Sequence, residues 1–183
     1  MNRYVLGAAL MSAIGISALA PAQYQSNKLN STPSGVTFRG GVVFPIDSTL
    51  RDIDTTFFGV GLEYLFASSY LHTGETFLSF DWIGRSSTGE RANLYPVMIN
   101  QRFYSGKSRY GYGEGRAYWF AGVGVIFIQA GGSDTKLGAR GGLGYELGPS
   151  VIAEVAGTIG QRADNNGGLT PSTLGVYVGY RFP

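Results

Sequence analysis

The chain of 183 residues contains no cysteine and one histidine. That excludes disulfides, thiolate metal sites and the lipid-bearing cysteine of a lipoprotein. Charge is scarce as well: 14% of residues are Asp, Glu, Lys or Arg, and aromatics match them at 14%. So few charges cannot coat an ordinary soluble surface. The formal net charge is +2 with no long basic run, so nothing electrostatic favours a nucleic acid or a strongly acidic partner. Beyond the N-terminus no apolar run approaches the length of a membrane-spanning helix.

The N-terminus carries the one long apolar stretch. Arg3 is followed by an apolar run from Val5 to Leu19 and then by Ala20-Pro21-Ala22, with small residues at the cleavage-determining positions. Residues 1–22 are therefore expected to be a secretory signal peptide cut after Ala22, the alternative being an uncleaved anchor. Residues 23–34, QYQSNKLNSTPS, are polar and aperiodic and are expected to be a disordered lead-in. Residues 35–183 form one domain.

From Gly35 onward the hydrophobicity alternates with period two, and the alternation recurs eight times, at about 35–44, 56–66, 74–83, 93–103, 116–128, 135–147, 150–160 and 174–183. Pro96 is the weak point of the fourth segment, because proline donates no ladder hydrogen bond. Gly148-Pro149 marks a tight turn. Outside residues 1–22 nothing longer than a turn or two shows a helical period. The fold class is all-β, an eight-stranded antiparallel up-and-down barrel, whose closure removes exposed sheet edges.

Alternation does not say which face points outward. A soluble ligand-binding barrel turns its apolar face in; a membrane barrel turns it out. Three features favour the membrane. The polar face is crowded with glycine (Gly41, Gly59, Gly61, Gly122, Gly124, Gly138, Gly142, Gly144, Gly175, Gly179), as a narrow lumen requires and a solvated strand does not. Its charges nearly balance: Arg39, Arg102, Arg116, Lys136, Arg140 and Arg181 against Glu63, Glu75, Asp81, Glu146 and Glu154. In a narrow interior these must pair, because an unpaired buried ion costs several kcal/mol. Finally, aromatics on the apolar face cluster near strand ends. Phe44, Phe58, Trp82, Tyr95 and Phe127 make an outer ring, and Phe38, Tyr64, Phe66, Phe103, Trp119, Tyr145, Tyr180 and Phe182 an inner one. Eight residue steps separate Trp119 from Phe127; at ~3.3 Å each and a tilt of ~40° they span roughly 20 Å, against a ~25 Å apolar band.

The stretches GVTFRGGVVFP, YWFAGVGVIF, LGARGGLGYEL and LGVYVGYRF, within residues 35–183, resemble small bacterial outer-membrane β-barrels of the OmpA-transmembrane/OmpX-like class. The resemblance implies a monomer in the outer membrane of a Gram-negative-type envelope, in contact with lipid and lipopolysaccharide. It also implies insertion by an assembly machinery that reads the terminal aromatics; Tyr180 and Phe182 match that signal, and Pro183 follows it. Some barrels of this kind act on lipid A through His/Ser or His/Asp/Ser sites. Here the single histidine, His72, sits beside Ser68 and Ser69 in a turn on the periplasmic side, away from outer-leaflet lipid, so no catalytic residue is assigned.

Ser105-Gly106-Lys107-Ser108 imitates the end of a phosphate loop, but the position that should be glycine is Gln101 and no helix follows. No metal or cofactor is expected; Asp164-Asn165-Asn166-Gly167-Gly168 reads as a loop tip rather than a calcium site. Bulky inner-face residues Phe77, Tyr118, Phe120, Ile126 and Tyr177 should fill the lumen together with the ion pairs. The expected function is structural or surface-interactive, presented by loops 45–55, 84–91, 129–134 and 161–171. A narrow porin is the alternative, and a lipid A-modifying enzyme or a lipocalin-like soluble barrel is less favoured.

Overall fold

The computed structural model describes residues 35–68, 74–85, 92–105, 115–148, 150–164 and 167–182. The expected signal peptide and lead-in, His72, Ser69 and Pro183 lie outside the described residues, as does the side chain of Phe66. Eight strands follow in order: β1 (Val36–Pro45), β2 (Phe57–Ser68), β3 (Gly74–Gly84), β4 (Ala92–Ser105), β5 (Arg116–Ala130), β6 (Ser133–Glu146), β7 (Val151–Gly160) and β8 (Thr173–Arg181). Each pairs antiparallel with its chain neighbour, and β8 returns to pair with β1 from Thr37↔Arg181 to Pro45↔Thr173. The sheet is thus a closed up-and-down barrel with no free edge, as the alternation predicts.

The apolar face is outside. Leu143 is 69% exposed, Val178 61% and Phe58 58%, whereas Arg39 is 0% and Glu63 2%. A lipocalin-like arrangement, with the apolar face turned inward, is excluded by this orientation. An exterior of this kind suits hydrocarbon, in which a strand is tolerated only when all its backbone groups are paired within the protein. The fold is that of a transmembrane β-barrel.

Register pairs members of each aromatic ring across neighbouring strands. Phe38 pairs with Tyr180, Tyr95 with Phe127, and Phe103 with Trp119, whose rings stack with centroids 4.2 Å apart. Trp82, Tyr95 and Phe103 are half-buried by their neighbours, and the other described ring members are exposed. Trp82 also donates its indole N–H to Asn93 at 3.0 Å. Pro96 leaves its mark on β4. The β3–β4 pairing runs to Phe80↔Val97 and resumes only at Ile83↔Leu94, leaving Asp81 and Trp82 opposite Pro96 and Tyr95 without a ladder pair.

Two connections differ from expectation. Residues 129–134 are not an outward loop: β5 and β6 continue to Gln129↔Ser133, and only Gly131 and Gly132 lie between the strands. Gly131 has φ +73°, a left-handed conformation that glycine adopts without penalty. The connection 45–55 is not merely a loop either, since it contains a short helix, α1 (Ser48–Ile53). Six residues are too few to show a helical period; α1 exists because Asp47 caps it, accepting from the Leu50 N–H at 3.2 Å, and because Leu50 is fully buried.

Inside, glycines on one strand face bulky groups on another. A methyl group added at Gly59 would come 2.8 Å from the Tyr177 ring, and one at Gly142 would come 2.6 Å from the Phe120 ring. Closure of the barrel therefore predicts that unboiled protein runs ahead of boiled protein on SDS gels. Identical migration of the two samples would contradict a closed, detergent-resistant barrel.

Candidate functional site

Strand alternation sends every second side chain into the lumen, and on all eight strands at least one of these is charged. Arg39 on β1 is the hub. Its Nε and Nη2 both donate to Asp81 on β3, with Nη2 at 2.7 Å and 2.8 Å from the two carboxylate oxygens. Its Nη1 donates to Glu154 Oε1 on β7 at 2.6 Å and lies 2.9 Å from Glu63 Oε1 on β2. Arg140 on β6 reaches two of the same acids, donating to Asp81 Oδ2 at 2.7 Å and to Glu154 Oε1 at 2.9 Å. Tyr118 donates its hydroxyl to the other Glu154 oxygen at 3.2 Å.

The network continues toward the barrel end where β1 begins and β8 finishes, here the terminal end. Arg102 on β4 donates to Glu63 at 2.7 Å and to Glu75 at 3.5 Å. The Tyr104 hydroxyl lies 2.5 Å from Glu75 and 3.0 Å from Glu146. Arg116 on β5 and Arg181 on β8 both donate to Glu146, at 3.1 Å and 3.0 Å. Five guanidinium groups thus meet five carboxylates, and each carboxylate touches at least one guanidinium. Charge-assisted, partly bidentate bonds are the strongest available here, and the pairing offsets the desolvation of each ion.

Aromatic rings complete the coordination. The Arg102 guanidinium carbon is 4.4 Å from the Phe77 ring centroid and 4.6 Å from that of Tyr118; Arg39 lies 5.2 Å from Tyr177 and Arg140 5.3 Å from Phe120. Four of the five bulky lumen residues singled out in the sequence therefore lie against guanidinium faces, where the ring quadrupole is attractive. Ile126, the fifth, belongs to an apolar layer described below.

Lys136 stands apart from the other lumen charges. It faces inward near the distal end, and its ion pair is with Asp134 at 3.1 Å, two residues away on the same strand. Thr76, which alternation places with Leu78 and Phe80, is buried and donates its hydroxyl to Gln101 at 2.7 Å. Alternation also puts Tyr104 inside, but only the structure shows it bridging two acids.

Apart from the Lys136–Asp134 pair, the distal half of the lumen is mainly apolar. Val43, Phe57, Ile83, Leu94, Met98, Ile126 and Ile128 are buried there in one cluster that also includes Leu50, Ala163 and Leu169. To the ion pairs, glycines and bulky residues expected from the sequence the structure adds a second layer: below lies a salt-bridged layer, above it a mainly oily one. Parity could have identified Val43, Ile83, Leu94, Met98 and Ile128 as inward. No sequence signal marks Leu50 or Leu169. Among the described residues no three His, Asp or Glu side chains are grouped to hold a metal ion.

Substitution separates the two faces. Arg39→Met strands Asp81 and Glu154 in the lumen with only Arg140 to share, and should lower unfolding free energy in urea by about 3–5 kcal/mol. Gly61→Ala places a methyl group against the Asp81 carboxylate and should also destabilise. Gly141→Ala on the outer face meets nothing nearer than the Phe120 carbonyl oxygen at 3.4 Å and should be tolerated. Equal effects of the two glycine substitutions would show that lumen crowding does not govern stability.

No protein-family model matches the sequence, and no curated protein matches it. Solved structures do share its architecture. Neisserial surface protein A (NspA) superposes with a TM-score of 0.51 at 11% identity, covering 83% of this chain and 99% of that one. The outer membrane enzyme PagL gives 0.50 at 16%, covering 81% and 98%. The N-terminal β-barrel domain of Pseudomonas aeruginosa OprF gives 0.49 at 15%, covering 82% and 100%. At such identities the similarity is one of fold.

Proposed function

We propose that this protein is a closed, non-catalytic β-barrel of the outer membrane, with a structural or surface-contact role carried by its distal connections. The observation behind this reading is the filled lumen: salt bridges spanning all eight strands, and an apolar layer stacked on them. An eight-stranded barrel is just wide enough for its own side chains to fill it. A porin needs a continuous polar path, and the apolar cluster from Val43 to Ile128 argues against one.

The apolar exterior, ringed by aromatics at two levels, supports residence in a bilayer with the termini on the periplasmic side, where short turns and chain ends of such barrels lie. In that orientation α1 and the β7–β8 connection face outward, beside lipopolysaccharide. Tyr180 on the final strand and Phe182 just beyond it, both exposed and packed edge to face at 5.3 Å, are the residues through which an assembly machinery would recognise this monomeric barrel. PagL is an enzyme on the same fold. Here every carboxylate of the lumen network is held by arginine, which favours scaffold chemistry over proton transfer.

Purified protein in a planar bilayer should give no stable conductance. Steady ohmic steps would make it a channel, and turnover of lipid A lost in His72→Ala would make it an enzyme.

A further inference from the structure

The two ends of the lumen are closed by different chemistry. At the terminal end the ions remain partly wet: the side chains of Glu75, Glu146, Arg116 and Arg181 are 12–16% exposed, whereas those of Arg39 and Glu154, deeper in, are 0%. At the distal end the lining is mainly apolar, with the Lys136–Asp134 ion pair, 22% and 11% exposed, on the strand beside Ile126 and Ile128. Leu50 from α1 and Leu169 from the β7–β8 connection are buried over Ile126 and Ile128, and Ala163 is buried with them.

These covering residues come from connections at opposite ends of the sequence, and one side chain joins them. Asp47 accepts from the Leu50 N–H through one carboxylate oxygen and from the Thr170 N–H, also at 3.2 Å, through the other. The joint is reinforced on either side. Ile46 N–H donates to Ser172 carbonyl at 2.8 Å, extending the β1–β8 ladder, and Asp54 at the end of α1 is ion-paired to Arg85 just beyond β3. Within the β7–β8 connection, Ala163 N–H donates to Leu169 carbonyl at 2.7 Å and holds Leu169 in place.

We infer that α1 and residues 167–172 form an apolar stopper latched by Asp47, so that water and small ions do not reach Ile126 and Ile128 from the distal end. A carboxylate with two backbone donors from two segments makes an effective latch, because its loss weakens the joint in both segments and leaves one amide in each unsatisfied. Beneath the stopper Ile126 and Ile128 are 0% and 1% exposed. The inference rests on the closed-lumen reading but is tested apart from it, since conductance reports through-passage and labelling reports access from one end.

The absence of native cysteine gives a clean background for single-cysteine reporters. Ile128→Cys places a thiol beneath the stopper, and Arg116→Cys places one at the terminal end while leaving Glu146 paired with Arg181. In refolded barrels treated with a small cationic methanethiosulfonate, position 116 should react readily and position 128 slowly. Adding Asp47→Ala should accelerate position 128 about tenfold and leave position 116 unchanged; Leu50→Ser should act in the same direction. SDS-gel migration verifies that each variant is folded. Fast labelling at 128 in the parent overturns the stopper even if no conductance is seen. Acceleration by Leu50→Ser but not by Asp47→Ala overturns the latch, and acceleration by neither overturns both.

Discussion

A narrow cylinder that turns its oily side chains outward has to keep its charges within, and no charge can stay there alone. This requirement organises the barrel. Lipid offers no hydrogen bonds, so the sheet must close on itself, and β8 meets β1 along nine paired positions to do so. Closure at eight strands then sets a lumen too narrow for bulk water, and the arginines and acids pointing into it become one another's solvent. Arg39, bonded to Asp81 and Glu154 and close to Glu63, ties strands that are distant in sequence yet adjacent across the lumen.

Size complementarity follows from the same confinement. Large interior groups cannot all share one level of so small a cylinder, so rings and guanidinium groups sit opposite glycines. Tyr177 lies against Gly59 and Gly175, Tyr118 against Gly144, and Phe120 against Gly142. The aromatic rings in turn cover guanidinium faces whose edges are committed to carboxylates. Glycine, ring and ion pair are therefore one packing solution, and the glycine content of the strands has its physical origin there.

Along its axis the lumen changes character. The salt-bridged layer is wettest toward the chain ends, and the oily layer lies beneath α1 and the β7–β8 connection. Most of the oily layer offers an ion no partner, and the one ion pair at its level, Lys136–Asp134, is already satisfied within its own strand.

Local alternation determined most of this protein. Period two in eight segments specifies eight strands, and parity assigns Arg39, Glu63, Asp81, Arg140 and Glu154 to one face and Phe38, Trp119 and Val178 to the other. Glycine crowding on the charged face then indicates that this face is the concave one. These features are legible because a strand's side chains alternate whatever lies next to it. What alternation could not supply was partnership: which acid Arg39 meets, that Lys136 turns to Asp134, that Tyr104 spans Glu75 and Glu146. Those depend on the stagger between strands, which no single segment encodes. Nor could it reveal α1 or the burial of Leu50 and Leu169, because a six-residue helix has no period to detect. Its stability comes from an oily mouth that exists only once the barrel has closed.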